Sequence, residues 1–298
     1  MKHIFLVILL TIFSCTHSIA QTISLSNEAE ISLITCDVSP EVYAMYGHSA
    51  IRVADQSMGI DYVFNYGLFS FSEPNFVYRF AKGRTDYLLG GQSYASFVKS
   101  YKRSQRSMSE QKLNLTSSEK EKLFQFLQWN ILPENAEYRY NFLYDNCATR
   151  VRDAIENCLE GELIYGPRIG NLHSFRELVD HYQRVSPWTN FGIHLLLGSP
   201  TDINANLRNQ LFLPPYLELQ FAQSNVRRGD EVSPLCQAQQ VIYQAPESPS
   251  ISFAQLHMPS ITMALLLLFY ALLTIKQRKQ HAIGYFFDYF WLLFNGII

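Results

Sequence analysis

The hydrophobic residues of this chain are concentrated near its two ends, and polar and apolar positions are mixed between them. Residues 4–13 form an apolar run shortly after Lys2. Residues 258–275 form a second run, rich in leucine and free of charged side chains. About 18 helical residues span about 27 Å, close to the hydrocarbon thickness of a bilayer. The pattern predicts a globular segment between an export signal and a membrane helix.

The N-terminal run has the features of a secretory signal peptide, which we assign to residues 1–20. A basic residue precedes the apolar stretch, and Ser18, Ile19 and Ala20 place small residues before a cut at Gln21. Two alternatives stay open. The segment is a lipoprotein signal with Cys15 as the modified residue, or an anchor that is never cut.

The C-terminal pattern predicts membrane topology. Lysine and arginine residues in 276–281 follow the predicted membrane helix, and such basic clusters are typical of cytoplasmic loops. The domain at 21–236 then lies in the periplasm, joined to the inner membrane by a polar linker at 237–257. Residues 282–298 are predicted to start a second membrane helix that the sequence truncates. A buried core helix at 258–275 is the weaker alternative.

The globular segment groups its predicted strands early, which favours an α+β fold over alternating α/β. Residues 49–53 and 60–66 form a predicted hairpin, and residues 187–215 are predicted to be irregular. Ser118 and Glu121 are predicted to form a capping box. Further strands are predicted at 31–36, 85–89 and 112–115, and helices at 93–102, 119–130, 147–159 and 174–183.

Composition removes several classes of function. A net charge of -2 argues against a nucleic-acid-binding surface, which would be basic. Four cysteines remain after the signal, without a CxxC pair, so neither a disulfide scaffold nor a zinc site is indicated. One disulfide among Cys36, Cys158 and Cys236 stays open. Such a bond would leave one of these three cysteines free, and Cys147 is the cysteine that we leave out of the pairing.

Cys147 is the strongest candidate for chemistry. It stands where a polar turn becomes a helix, with Asp145 or Asn146 as the cap. The N-terminus of a helix carries partial positive charge and free N–H groups, which lower the pKa of a thiol and can hold an oxyanion. A buried structural cysteine is the alternative.

His48 is the candidate base, because Gly47 permits a close approach and the following strand fixes the ring. Packing in the core or on the surface is the alternative. If Ala54 pairs with Gly59 in the hairpin, His48 lies opposite Asn65. Asn65 is then the preferred third residue, which would orient the imidazole. The same register pairs Asp61 with Arg52, and Asp61 is the alternative orienting residue if the register slips.

Three residues near Cys147 are candidates for the substrate or oxyanion pocket: Tyr144, Asp145 and Arg150. Arg150 lies one helical turn after the cysteine, where it can address a phosphate or carboxylate. A salt bridge to Asp145, Asp153 or Glu156 is the slightly favoured alternative for Arg150. Tyr144 and Asp145 shape the pocket or cap the helix.

Several motifs in order resemble the exported domain of the Lnb family of lipoprotein N-acylation proteins from Bacteroidota. They are ISLITC, YGHSAIRV, DYVFNYG, YNFLYDNCATRVRD, WTNFGIHLLLG and FLPPYL. The resemblance covers nearly all of residues 32–217. The resemblance implies a circularly permuted papain-like domain of the NlpC type. In the permuted order the histidine strand comes first, as His48 precedes Cys147 here.

The resemblance also implies a reaction. Cys147 would take an acyl chain from a membrane phospholipid as a thioester, and His48 would serve as acid and base. The acceptor would be the α-amine of a diacylated lipoprotein, and neither a metal nor another cofactor is implied. Two rivals stay open: a periplasmic cell-wall peptidase or amidase of the same fold, and an inactive envelope scaffold. The predicted membrane helix favours the acyltransferase.

Overall fold

The computed structural model describes residues 23–39, 41, 44–69, 75, 78–79, 82, 85–171, 174–184, 186–246, 252–280, 289–290 and 293. The predicted signal peptide and nearly all of the second apolar run at 282–298 lie outside these residues. The strands are β1 (Glu30–Cys36), β2 (His48–Asp55), β3 (Ile60–Leu68), β4 (Asp86–Ser93), β5 (Met108–Lys112), β6 (Glu137–Arg139), β7 (Glu162–Ile164), β8 (Asn225–Arg228), β9 (Glu231–Pro234) and β10 (Gln240–Tyr243).

The helices follow the same order along the chain. They are α1 (Tyr94–Arg103), α2 (Ser117–Asn130), α3 (Pro133–Ala136), α4 (Cys147–Cys158), α5 (Phe175–Gln183), α6 (Pro187–Leu196), α7 (Leu207–Gln210), α8 (Pro214–Ala222) and α9 (Phe253–Gln280), with a short 3₁₀ helix at Ser199–Asp202. Strands and helices together form a mixed α+β fold, as the sequence predicts.

The chain divides into two compact units, and the first contains every strand named above. It comprises Met1–Asp37, Gly47–Gly170 and Leu207–Ala245. Its main sheet has the strand order β10-β5-β1-β2-β3-β4-β6, and every described pairing in it is antiparallel. Strands β7, β8 and β9 form a separate small sheet.

Helices cover the main sheet because its central strands are apolar on both faces. On one face Ile34, Cys36 and Ala50 pack with Phe97 of α1. Helix α4 packs against β2 and β3, and α8 contacts β1. Cys36 pairs directly with His48 across β1 and β2. The sheet therefore places His48 on the face that α1 covers.

The β2–β3 hairpin forms, but its predicted register is wrong by two residues. Ala54 pairs with Asp61, and not with Gly59. The loop after Asp55 sets this register. The buried carboxylate of Asp55 accepts hydrogen bonds from the Ser57 hydroxyl at 2.7 Å and from the Met58 N–H at 3.2 Å. A shift of two residues keeps every side chain on its original face, because side chains alternate with a period of two.

Helix α2 begins earlier than the sequence pattern indicates. Its capping box uses Thr116 and Glu119, and not the predicted Ser118 and Glu121. Glu119 is fully buried and also binds Arg228, with 2.6 Å between Oε2 and Nη2. A charged contact from a distant strand thus stabilises the box at this position, and sequence proximity alone did not indicate it.

Helices α2 and α4 pack on each other. Leu123 and Leu127 on α2, and Val151 and Ile155 on α4, are all fully buried. Burying such side chains contributes about 1.5–3 kcal/mol each. This contact fixes α4, and therefore the position of its first residue, Cys147.

Three other predictions differ from the structure. The prediction of irregular structure at 187–215 is wrong, because α6 and α8 both occur in proline-rich sequence. Pro187 and Pro214 stand at the first helical position, where the missing N–H has no cost. The strand predicted at 112–115 lies at Met108–Lys112. The predicted linker at 237–257 carries β10, which pairs with β5.

The second unit comprises Val38–Tyr46, Asn171–Asn206 and Pro246–Ile298. Within it, α6 packs against both α5 and α9. Among the described residues, one segment, His257–Lys279, is long and apolar enough to span a membrane. Its mean hydropathy is 2.0, and 6% of its apolar window is buried. This segment includes the predicted membrane helix at 258–275.

Candidate functional site

Cys147 is the first residue of α4, directly after a buried asparagine that caps the helix. The Oδ1 atom of Asn146 accepts hydrogen bonds from the N–H groups of Ala148 at 2.9 Å and Thr149 at 3.0 Å. The Asn146 amide also donates to the carbonyl oxygens of Phe142 and Phe212, each at 2.8 Å. The cap occupies the N–H groups of Ala148 and Thr149. The N–H of Cys147 lies close to the sulfur of the same residue. It has no other hydrogen-bond partner among the residues that the structure describes.

The sulfur of Cys147 lies against the ends of β2 and β3. Gly67 on β3 has a φ of +91°, and a Cβ added there would lie 3.5 Å from the Cys147 Cβ. Glycine permits this backbone conformation at little cost. The backbone N–H of Ser49 on β2 lies close enough to the Cys147 thiol to lower its pKa. The peptide that joins His48 to Ser49 therefore lies beside the sulfur.

Burial keeps Cys147 protonated in the resting site. Burial raises the pKa of its thiol, while the N–H groups of Ser49 and Ala148 and the Arg106 guanidinium lower that pKa. The other described cysteines are all free and more deeply buried, and burial raises the pKa of each thiol to about 12: Cys36, Cys158 and Cys236. Cys147 is half-buried, so it is the thiol that a substrate can reach.

His48 is held in one tautomer by Asn65. Its Nε2–H donates to the Asn65 Oδ1 over 3.1 Å, which leaves Nδ1 as a proton acceptor. Its ring stacks on Tyr101 with 6.5 Å between centroids. Burial lowers the pKa of His48 to about 4, although the bond to Asn65 raises it. At neutral pH the imidazole is therefore uncharged and available as a base.

The hydrogen bond from His48 goes to Asn65 and not to Asp61. Because the register is two residues from the prediction, both predicted contacts form diagonally across the hairpin. Asp61 binds Arg52 with 2.8 Å between Oδ1 and Nε, which confirms the expected ion pair. Arg52 also binds Glu110 and lies 3.6 Å from the centroid of the Tyr94 ring. Asp61 is half exposed in this ion pair, and Asn65 is the residue that accepts the hydrogen bond from His48.

The three predicted pocket residues have different surroundings. Arg150 forms a salt bridge to Asp145, with 2.5 Å between Nε and Oδ1. This salt bridge is the alternative that the sequence analysis favoured for Arg150. The carboxylate of Asp145 neutralises the positive charge with which Arg150 would bind a phosphate. Asn146 and not Asp145 caps α4. Half of the Tyr144 side chain is exposed, and its N–H bonds the Asn141 side chain.

Tyr138 on β6 was missed by the sequence analysis, although its phenol lies at the site. The Tyr138 Oη would lie 4.0 Å from a Cβ on Gly67, which would also contact Cys147. This hydroxyl is buried and has no hydrogen-bond partner among the described residues. The Arg150 guanidinium lies 4.1 Å from the ring centroid, and the edge of Tyr66 contacts the ring. Tyrosine is too common in this chain for Tyr138 to be selected by pattern.

Arg106 is a second residue that the sequence analysis missed. It follows Gln105, which has a φ of +50° and ends α1 in a Schellman turn. That turn includes the bond from the Arg106 N–H to the Tyr101 carbonyl at 3.0 Å. The guanidinium donates to the Asp37 carbonyl at 2.8 and 3.0 Å and lies 4.8 Å from the centre of the Tyr101 ring. No carboxylate of the described residues pairs with it. Its charge lowers the pKa values of both Cys147 and His48.

Comparison with known proteins decides the family. The model of the Lnb N-terminal periplasmic domain matches residues 18–180, which is more than half of the chain. This chain belongs to the Lnb family. No curated protein matches it, and no solved structure matches it.

The matched Lnb domain contains the five residues on which the candidate site depends: His48, Asn65, Arg106, Tyr138 and Cys147. The family description and the apolar segment at His257–Lys279 together indicate a membrane protein with a periplasmic domain. Among the described residues, no cluster of histidine, cysteine and acidic side chains is arranged to hold a metal ion.

Proposed function

We propose that this Lnb protein is a membrane-anchored thiol acyltransferase. It moves an acyl chain from a phospholipid, through a thioester on Cys147, to the N-terminal amine of a diacylated lipoprotein. Two observations support the proposal: the half-buried thiol of Cys147 stands at the capped N-terminus of α4, and the hydrogen bond from the His48 Nε2–H to Asn65 leaves Nδ1 able to accept a proton. Helix α9 would anchor the periplasmic domain in the inner membrane, where both lipid substrates are present.

In the first step the Cys147 sulfur attacks the ester carbonyl of the phospholipid. His48 takes the thiol proton as the new S–C bond forms, because an uncharged imidazole and a protonated thiol are the resting forms of the pair. The C–O bond of the ester then breaks, and His48 returns the proton to the leaving lysophospholipid. The pair of Cys147 and His48 follows the general logic of an activated nucleophile with an oriented base.

The second step uses the same residues in reverse. The α-amine of the lipoprotein attacks the thioester carbonyl and gives a proton to His48. The C–S bond breaks, and the Cys147 sulfur recovers the proton. No oxidant, reductant or metal takes part. The acyl chain is now held by the lipoprotein as an amide, and the free thiol of Cys147 is regenerated for another cycle.

Each step passes through a tetrahedral intermediate whose oxygen carries negative charge. Two donors near the sulfur suit this oxyanion: the N–H of Cys147 and the hydroxyl of Tyr138. Neither has an oxygen or nitrogen partner among the described residues. Donors that are already in place cost no reorganisation during the reaction, which is why removing one typically lowers the rate by about 100-fold or more.

Arg106 is our candidate for binding the phosphate of the donor lipid. Its guanidinium is half-buried, and the described residues offer it no carboxylate. The bonds to the Asp37 carbonyl fix its position but leave its positive charge without a counterion among the described residues. By contrast, Asp145 neutralises Arg150. A phosphate would complete the electrostatics of Arg106, and guanidinium groups bind phosphate in a directed way.

Replacing the nucleophile tests the proposed function. We expect Cys147→Ala to abolish N-acylation of lipoproteins in cells that depend on this protein, without changing its abundance. Mass spectrometry of lipoprotein N-terminal peptides measures the product directly. The matched control is Cys158→Ala, which removes a buried thiol from the other end of α4 and should leave N-acylation intact. Fully triacylated lipoprotein from the Cys147→Ala strain would refute the nucleophile assignment.

A further inference from the structure

Helix α6 presents its apolar side to solvent. At 100° per residue, Trp188, Phe191, Leu195 and Leu196 fall on one side of this helix. Trp188 is 47% exposed, Leu195 55% and Leu196 84%. None of the ten residues of α6 is fully buried. An ordinary surface helix would bury such a side in the core of the protein.

The opposite side of α6 is polar and faces the protein. Asn190 donates to the Asp180 Oδ1 at 2.9 Å, and the His194 Nε2–H donates to the same carboxylate oxygen at 3.2 Å. Arg176 donates to the His194 Nδ1 at 3.1 Å. Both Arg176 and Asp180 belong to α5. These bonds fix the rotation of α6 about its axis, so the apolar side cannot turn inward without breaking them.

The exposed side is also open. A Cβ added to Gly192, in the middle of this side, would meet no atom within 4 Å. The rings of Trp188 and Phe191 contact each other edge to face, with 6.2 Å between centroids. The apolar side is therefore a continuous surface of aromatic and aliphatic groups without a covering element among the described residues.

The neighbour of α6 indicates what covers this surface. Helix α6 packs against α9, the helix that contains the candidate membrane span. We infer that the apolar side of α6 lies in the interfacial layer of the membrane that α9 crosses. A helix with one apolar side binds there with that side about 5–10 Å into the boundary between headgroups and acyl chains. Tryptophan is enriched at this depth.

A depth measurement on the full-length protein in phospholipid vesicles tests this inference. Leu196→Cys, in a Cys147→Ala background, is labelled with an environment-sensitive fluorophore. Leu196 is largely exposed, so this substitution leaves the core intact. The matched control is Val232→Cys on β9, an apolar residue that is 52% exposed in the first unit. Emission is recorded with ordinary phospholipids and with phospholipids brominated on the acyl chains.

We expect the label at position 196 to shift to shorter wavelength and to lose emission in brominated vesicles. The label at position 232 should do neither. Equal, water-like emission at both positions would overturn the inference. Shielding at position 196 without quenching by bromine, together with cross-linking between two copies of the Leu196→Cys variant through the introduced thiol, would assign the surface to a second copy of the chain. Shielding that requires added lipoprotein would assign it to the acceptor, and both results would also overturn the inference.

Discussion

Removing the hydroxyl of Tyr138 should change stability and activity in opposite directions. It is buried and has no hydrogen-bond partner among the described residues. An unsatisfied buried hydroxyl costs about 1–3 kcal/mol. Tyr138→Phe removes this group and keeps the ring, with its contacts to Tyr66 and Arg150. We therefore expect the variant to be more stable than the native protein by about 1 kcal/mol.

The same change should slow the reaction if the hydroxyl holds the oxyanion. Loss of one such donor typically costs about 2.7 kcal/mol or more, which is about 100-fold in rate. The assay is the release of lysophospholipid in a single turnover, with thermal melting in detergent measured on the same sample. Tyr138→Phe should thus raise the melting temperature and lower the single-turnover rate.

Tyr66→Phe is the matched control, because the hydroxyl of Tyr66 does have a partner. It donates to the Asn130 Oδ1 at 2.7 Å in a buried position. Its removal should lower stability by about 1 kcal/mol or more and leave the single-turnover rate near that of the native protein. If Tyr138→Phe keeps the native rate, its hydroxyl takes no part in the chemistry. If Tyr138→Phe loses stability, the hydroxyl has a partner and our reasoning fails.

Three further changes probe the base, the phosphate site and the fold. Asn65→Asp places a carboxylate next to the Nε2–H of His48, which should raise the pKa of the imidazole above about 4. The acid limb of the pH–rate profile should therefore move to higher pH. If this limb does not move, His48 does not titrate in the reaction. Arg106→Gln should lower the rate of lysophospholipid release most at low phospholipid concentration and leave the melting temperature nearly unchanged. An equal loss of rate at saturating phospholipid would contradict a role of Arg106 in binding. Arg228→Met leaves the Glu119 carboxylate buried without its partner and should cost about 3–5 kcal/mol of unfolding free energy. Burial raises the pKa of Glu119, but hydrogen bonds and charge from Arg228 lower it more, so the pKa lies below its usual value. The stability that this pair contributes is therefore present above the pKa of a glutamate in the unfolded chain, and it is lost as the pH falls through the pKa in the folded protein. Chemical denaturation at a series of pH values from 7 to 3 checks both statements.

Local patterns in the sequence were sufficient to predict where two of the candidate residues stand in the fold. Cys147 stands at a capped helix start, and His48 begins a strand after a glycine, so both were visible in the sequence. The hairpin was visible too. Its register depended on how Asp55 bonds to the loop and to Ser26, a residue from the N-terminal segment. The error of two residues preserved the face, which is why Asn65 was still placed with His48.

The missed residues depend on contacts between distant parts of the chain. Tyr138 reaches the site because β6 joins the edge of the sheet at β4. Arg106 reaches it because β5 pairs with β1 and brings the end of α1 beside Asp37. Periodicity carries no information about either pairing. The helices within 187–215 were missed for a different reason, since Pro187 and Pro214 stand at the first helical position, where proline begins a helix.

The measurement that tests the central claim most directly is the covalent intermediate. The full-length protein is incubated in vesicles with phospholipid that carries a labelled acyl chain, without lipoprotein. We predict one acyl group on Cys147, removed by neutral hydroxylamine as thioesters are, and transferred to added diacylated lipoprotein. The label should be absent from the Cys147→Ala variant. A native protein that N-acylates lipoprotein while Cys147 never carries the acyl chain would contradict the proposed mechanism.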